Sequence, residues 1–191
     1  MNRRKVLSIA ATAALTVASA ACTTTSGSAG ADPAAKRRAI DASVDEALAN
    51  LHAKVPESRE LTAKAAGVLV FPSVVSAGFI VGGSHGEGAL RKAGRSSAYY
   101  STSAASVGLL AGAQSKAVYV LFMTQESLAK FEASDGWTAG ADASVTVINV
   151  GADAKIDTKS VQQPIVSFVL AGGGLMANLS VDGTKFTRIA L

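Results

Sequence analysis

The stretch Ala117-Val118-Tyr119-Val120-Leu121-Phe122-Met123 is apolar at nearly every position, and no other segment constrains the fold as strongly. A strand with one face in water alternates apolar and polar residues, whereas a run like this one must be covered on both faces. It therefore lies centrally in a sheet, beneath a helix or inside a barrel wall. The cover is found upstream. Ile40, Val44, Leu48 and Leu51 recur at steps of four, four and three, a single apolar stripe along a helix. The chain reads as helical from Ala34 to about Ala66, interrupted at Pro56, with a second, shorter helix over Glu57 to Ala65.

From Gly67 onward the pattern is that of β-structure. Gly67 to Phe71 is an apolar run stopped by Pro72. Further runs follow at Gly78–Val81, Ala89–Lys92, Ala98–Thr102, Ser106–Ala113 and Ala117–Met123, separated by Gly and Ser. Short strands at this spacing predict an antiparallel sheet that curls or closes. Thr124 is placed to cap a helix through Gln125 to Ala133, ended by Ser134-Asp135-Gly136. Strands resume at Ser144–Val150 and Ile165–Ala171, and Asp182-Gly183 predicts a hairpin joining Leu175–Val181 to Thr184–Ile189. The expected fold is α+β: N-terminal helices covering a strongly curved antiparallel sheet, a barrel or half-barrel, with one inserted helix at residues 125–133. No internal repeat of fixed period is present.

The N-terminus carries a different signal. Arg3-Arg4-Lys5 precedes an uncharged stretch from Val6 to Ala21, the n- and h-regions of a secretory signal peptide over residues 1–21. Sixteen residues of helix span about 24 Å, short of the roughly 30 Å hydrocarbon core. Cys22 is the single cysteine, so no intramolecular disulfide can form. Ser19-Ala20-Ala21-Cys22 resembles a bacterial lipobox, apart from Ser19 where Leu is usual, and makes Cys22 the expected lipid anchor. Residues 22–33 then form a small, polar tether to a domain at 34–191. The alternative is ordinary cleavage after Ala18-Ser19-Ala20, which leaves Cys22 a free thiol on a soluble periplasmic or secreted protein. Thr23 after the cysteine, rather than Asp, points to the outer membrane facing the periplasm. With Arg3, Arg4 and Lys5 removed, 15 basic and 14 acidic residues remain. That near-neutral balance argues against nucleic-acid binding, which needs a clustered basic face.

Catalytic constellations are lacking in the sequence. His52 and His85 have no metal-ligand partner at helical or hairpin spacing, Cys/His zinc sites are excluded by count, and no G-x-S-x-G elbow is present. Glu87 and Asp135 stand beside glycines in predicted turns, where solvated turn residues outweigh paired catalytic carboxylates. The glycines of Gly82-Gly83-Ser84-His85-Gly86-Glu87-Gly88 and Gly172-Gly173-Gly174 precede strands, not helices. They suit turns, bulges and close backbone approach better than a phosphate cradle. Arg91-Lys92-Ala93-Gly94-Arg95 forms a basic hairpin tip, either a solvated turn or a headgroup contact through Arg91, Lys92 and Arg95. Trp137 follows a turn, as core packing or as a membrane plug. No enzymatic activity, cofactor or metal is expected.

An ordered series of motifs resembles the SYLF family. It begins with Ala66-Gly67-Val68-Leu69-Val70-Phe71-Pro72-Ser73-Val74 and Ala77-Gly78-Phe79-Ile80-Val81-Gly82-Gly83. It runs on through Gly86-Glu87-Gly88-Ala89-Leu90, Ala98-Tyr99-Tyr100-Ser101, Gly112-Ala113-Gln114-Ser115-Lys116 and Phe131-Glu132-Ala133-Ser134-Asp135-Gly136-Trp137. It closes with Gly174 to Ser180, Asp182 to Lys185 and Thr187-Arg188-Ile189, covering about residues 36 to 191. Ser84-His85 departs from the polar–aromatic pair expected there. The resemblance implies lipid binding without catalysis, with anionic phospholipid membranes as partner and an amphipathic N-terminal helix at the membrane. By position that helix is Lys36 to Ala53, with Lys36, Arg37 and Arg38 at the headgroups and Ile40, Val44, Leu48 and Leu51 toward apolar surface. Asp41, Asp45 and Glu46 oppose the three cations, and the same stripe is equally suited to packing on the sheet. The actin regulation known for yeast members is not expected in a bacterial envelope. The runner-up reading is an envelope interaction protein that binds a protein or peptidoglycan and meets lipid only through its anchor.

Overall fold

A computed structural model describes residues 32–78, 81–107, 112–150, 162–171 and 181–191. The expected signal peptide, Cys22, nearly all of the tether, the Gly172–Gly174 run and the strand expected at 175–180 lie outside the described residues. Helix α1 spans Pro33–Lys54 and α2 Ser58–Lys64. Four long strands follow: β1 (Gly67–Gly78), β2 (Val81–Lys92), β3 (Arg95–Val107) and β4 (Gly112–Phe122). Helix α3 (Gln125–Glu132) precedes β5 (Trp137–Thr138), β6 (Thr146–Val150), β7 (Ile165–Ala171) and β8 (Lys185–Ile189). The eight strands form one sheet in the order β5-β8-β3-β2-β1-β4-β7-β6. The α+β class, the covering N-terminal helices and the curled half-barrel are as the sequence predicts. The sheet is mixed, however, because β6 runs parallel to β7, with Ile148 beside Phe168.

The strands are longer than the sequence predicts, and Pro72 is the reason. It was expected to stop β1, but β1 continues through it. The register shifts between Val70 and Ser73 against β2, and between Phe71 and Val74 against β4. A proline has no N–H to give the ladder, and inside a sheet it is confined to such bulges. The bulge pushes main-chain oxygens toward β2, and glycines receive them. A Cβ on Gly88 would lie 1.9 Å from Val70 O, and one on Gly86 2.7 Å from Ser73 O. Gly82 to Gly88 is thus part of a continuous strand and no loop, with glycine there for close backbone approach. Glu87 accordingly lies in β2, and not in the turn expected for it.

The run from Ala117 to Met123 forms most of β4, and both its faces are covered. Val118, Val120 and Phe122 point into a cluster with Leu69, Phe71, Tyr100, Leu128, Phe131, Trp137 and Phe186. Tyr119 and Leu121 point the other way, against Val44, Ala47 and Leu51 of α1 and Val68, Val70 and Phe168 of the sheet. Trp137 is a core residue, its ring 5.7 Å from both Phe131 and Phe186 between centroids. Thr124 caps α3, its hydroxyl accepting from Ser127 N at 3.1 Å. The Asp182-Gly183 turn forms, with Gly183 at φ 74° and Thr184 N donating to Val181 O at 3.0 Å, but the first strand of the hairpin expected there lies outside the described residues, and the described partners of β8 are β3 and β5.

Gly88→Ala should lower stability by about 3 kcal/mol, because the added methyl overlaps a carbonyl in the sheet centre. Gly83→Ala, whose Cβ would meet nothing closer than Ala104 O at 3.8 Å, should stay within about 0.5 kcal/mol of wild type. Urea unfolding of the two variants checks the contrast.

Candidate functional site

The polar features picked out in the sequence converge where α1 crosses the β2–β3 hairpin. Lys36 Nζ lies 2.7 Å from Glu87 Oε1. One turn further along α1, Asp41 accepts from Ser96 Oγ at 2.6 Å and from Tyr99 OH at 3.0 Å. Arg91 Nη2 donates to the Asp41 carbonyl oxygen at 3.1 Å and to Asp45 Oδ1 at 2.5 Å. The Arg91 side chain is 12% exposed and its Nε is buried without a partner. Lys92 turns to the opposite side of the hairpin and holds both Glu132 carboxylate oxygens of α3, at 2.8 and 3.0 Å. Arg91 and Lys92 are adjacent residues of β2 and so point to opposite faces, and Ala93 and Gly94, with φ of 47° and 78°, make the tight turn that follows.

The remaining candidates divide by exposure. Arg37 and Arg38 are exposed on α1, with Arg37 Nε 3.4 Å from Pro33 O, and Arg95 is exposed at the start of β3. Ile40, Val44 and Leu51 are buried against the sheet and Leu48 is partly so. In this arrangement the apolar stripe faces protein. Tyr119 OH donates to the Ala47 carbonyl at 2.8 Å beneath the helix. Burial pushes its phenol up to about 12. Burial raises Tyr99 as well, helped by its hydrogen bond to Asp41. At the far end of α1, His52 Nε2 lies 3.0 Å from the Thr62 hydroxyl of α2. Burial, then the nearby Arg59 charge, lowers its pKa.

Asp41 is the residue that sequence reasoning missed: it was read only as a charge opposing Lys36, Arg37 and Arg38. Its hydroxyl partners lie 55 and 58 residues downstream, so no local spacing signals the role. Asp135 remains exposed after α3, in the turn where it was expected. Among the described residues no group of three His, Cys, Asp or Glu side chains could hold a metal, and no helix is long and apolar enough to cross a membrane. An open groove at Ala139, Gly140, Ser144, Val145 and Asp182 lies among other residues than these.

The described domain is a curled α+β half-barrel with a helix tied across its hairpin. The comparison with known families places it. Residues 103–189, from β3 to β8, match the family described as Ysc84, Las17-binding protein actin regulator, which is consistent with a SYLF-domain protein. The match covers just under half the chain and leaves α1, β1 and β2 outside it. No curated protein matches the chain.

Tyr119 gives this interface a pH signature. The folded phenol keeps its proton up to about pH 12, while the unfolded one loses it near pH 10. Stability present below pH 10 is therefore lost as pH rises toward 12. Tyr119→Phe should cost about 1 kcal/mol at neutral pH and flatten the alkaline decline, as read from thermal midpoints between pH 8 and 12.

Proposed function

We propose that this protein is a non-enzymatic, membrane-binding domain that takes anionic phospholipid through α1 and the adjoining β2–β3 turn. The observation that carries the reading is the composition of α1 as it lies on the sheet. Exposed Arg37 and Arg38 stand at its N-terminal end, followed by the apolar stripe Ile40, Val44, Leu48 and Leu51, with Arg95 exposed on the neighbouring hairpin. Basic residues at an anionic membrane surface are worth about 1 kcal/mol each, and an amphipathic helix adds apolar burial at the headgroup boundary. The match of residues 103–189 to the Ysc84 (SYLF) family, a lipid-binding one, supports the same assignment. In this reading residues 1–21 export the chain, acylated Cys22 anchors it in the envelope, probing lipid on the periplasmic side of the outer membrane. Actin regulation, part of the family's description, does not carry over to that setting.

Co-sedimentation of the full-length Cys22→Ala chain, which cannot be acylated, with vesicles tests this. Binding to phosphatidylglycerol-containing vesicles should weaken with salt and fall about tenfold or more in Arg37→Glu/Arg38→Glu, given two reversed charges at about 1 kcal/mol each. Vesicles of phosphatidylcholine alone should distinguish the two proteins much less. No binding to either vesicle would leave lipid to the anchor and direct attention to a protein or peptidoglycan partner in the envelope.

A further inference from the structure

The apolar stripe that the membrane reading needs is the one α1 buries on the sheet. Val44 and Leu51 are fully buried there and Ile40 and Ala47 nearly so. The stripe cannot face the sheet and a bilayer at once. A membrane can replace the apolar cover of the helix, so apolar burial alone discriminates poorly between the two positions. What it cannot replace is the set of directed polar contacts at the helix–sheet crossing. These are Asp41 to Ser96 and Tyr99, Arg91 to Asp45 and the Asp41 carbonyl, and Lys36 to Glu87.

We infer that the Asp41–Ser96–Tyr99–Arg91 cluster is a latch that holds α1 on the sheet and restrains membrane binding. This rests on the membrane reading of α1 and assigns the regulation of that same element. Every member fits a holding role. Asp41 uses both carboxylate oxygens and its main-chain carbonyl on three separate sheet residues. Arg91 is too enclosed to be a headgroup ligand and is spent on the helix. Ser96 and Tyr99 carry no charge at neutral pH, so their removal leaves electrostatic attraction to a bilayer unchanged.

The inference reverses the sign expected for Arg91. As a headgroup contact its loss should weaken binding to an anionic membrane; as part of the latch its loss should strengthen it. The experiment uses the full chain carrying Cys22→Ala, so that no acyl anchor contributes, and three variants made on it: Ser96→Ala, Ser96→Ala/Tyr99→Phe, and Arg91→Gln. Two quantities are read: hydrogen exchange of α1 amides without lipid, and co-sedimentation with phosphatidylcholine–phosphatidylglycerol vesicles. The single Ser96→Ala variant keeps the test available should a doubly altered hairpin fold poorly. The expected result is faster α1 exchange and vesicle binding tighter by about fivefold for each hydrogen bond removed. Wild-type binding with variants no tighter, despite faster exchange, would overturn the latch and leave the membrane reading intact. Unchanged exchange in α1 would overturn it as well, because the cluster would then not hold the helix. If no protein binds even with α1 loosened, the membrane reading itself fails and takes this inference with it.

Discussion

Pro72 sits in β1, with four strands on one side and three on the other, and the rest of the architecture adapts to it. A residue that cannot donate to a ladder would ordinarily end a central strand. Here both neighbouring strands shift register around it, and Gly86 and Gly88 admit the displaced carbonyls. A bulge bends its strand and increases local twist, which suits a sheet that must curl. The side-chain consequence is that Phe71 and Val74 share the inner face with Leu69, although strict alternation would part Phe71 from Val74. Phe71 then stacks on Phe186 at 5.3 Å between centroids. The segments Phe71-Pro72-Ser73 and Gly86-Glu87-Gly88 are thus two halves of one steric arrangement.

The two faces of the sheet are built from different materials. The inner face is aromatic, with Phe122, Phe131, Tyr100, Trp137 and Phe186 in tilted and edge contacts, and it is closed by α3 and β5. The outer face is aliphatic, apart from Tyr99, Tyr119 and Phe168, and is closed by α1. Both helices are fastened at the hairpin by neighbouring cations, Arg91 to α1 and Lys92 to α3. Adjacent strand residues point to opposite faces, so one turn clamps both covers.

Much of this was legible in the sequence. The unbroken apolar run of β4 required cover on both faces, and the period of Ile40, Val44 and Leu51 identified the helix that provides it. The Thr124 cap and the Asp182-Gly183 turn were readable because their chemistry is local. Strand order was not readable. β4 pairs with β1 and not with β3, and the parallel β6–β7 pair depends on a connection, not on any residue pattern. Strand length was hidden by glycine and proline, which ordinarily punctuate strands but here sit inside them at the bulge. At the site, the basic residues were visible as clusters, yet their use was not. Lys36, Arg91 and Lys92 find carboxylates 40 to 51 residues away in sequence, separations over which spacing carries no information.

Those separations bear on the order of assembly. α1 is made before the sheet that secures it, and its fastenings lie 46 to 72 residues downstream, the last being Tyr119 on β4. Closing such long loops is costly until the sheet offers its contacts in return. The first element of the domain to be synthesised is therefore fixed only after four strands of the sheet have followed it. Until β4 is in place, the stripe from Ile40 to Leu51 is an unsheltered apolar surface, and the nascent chain depends on whatever covers it in the interval.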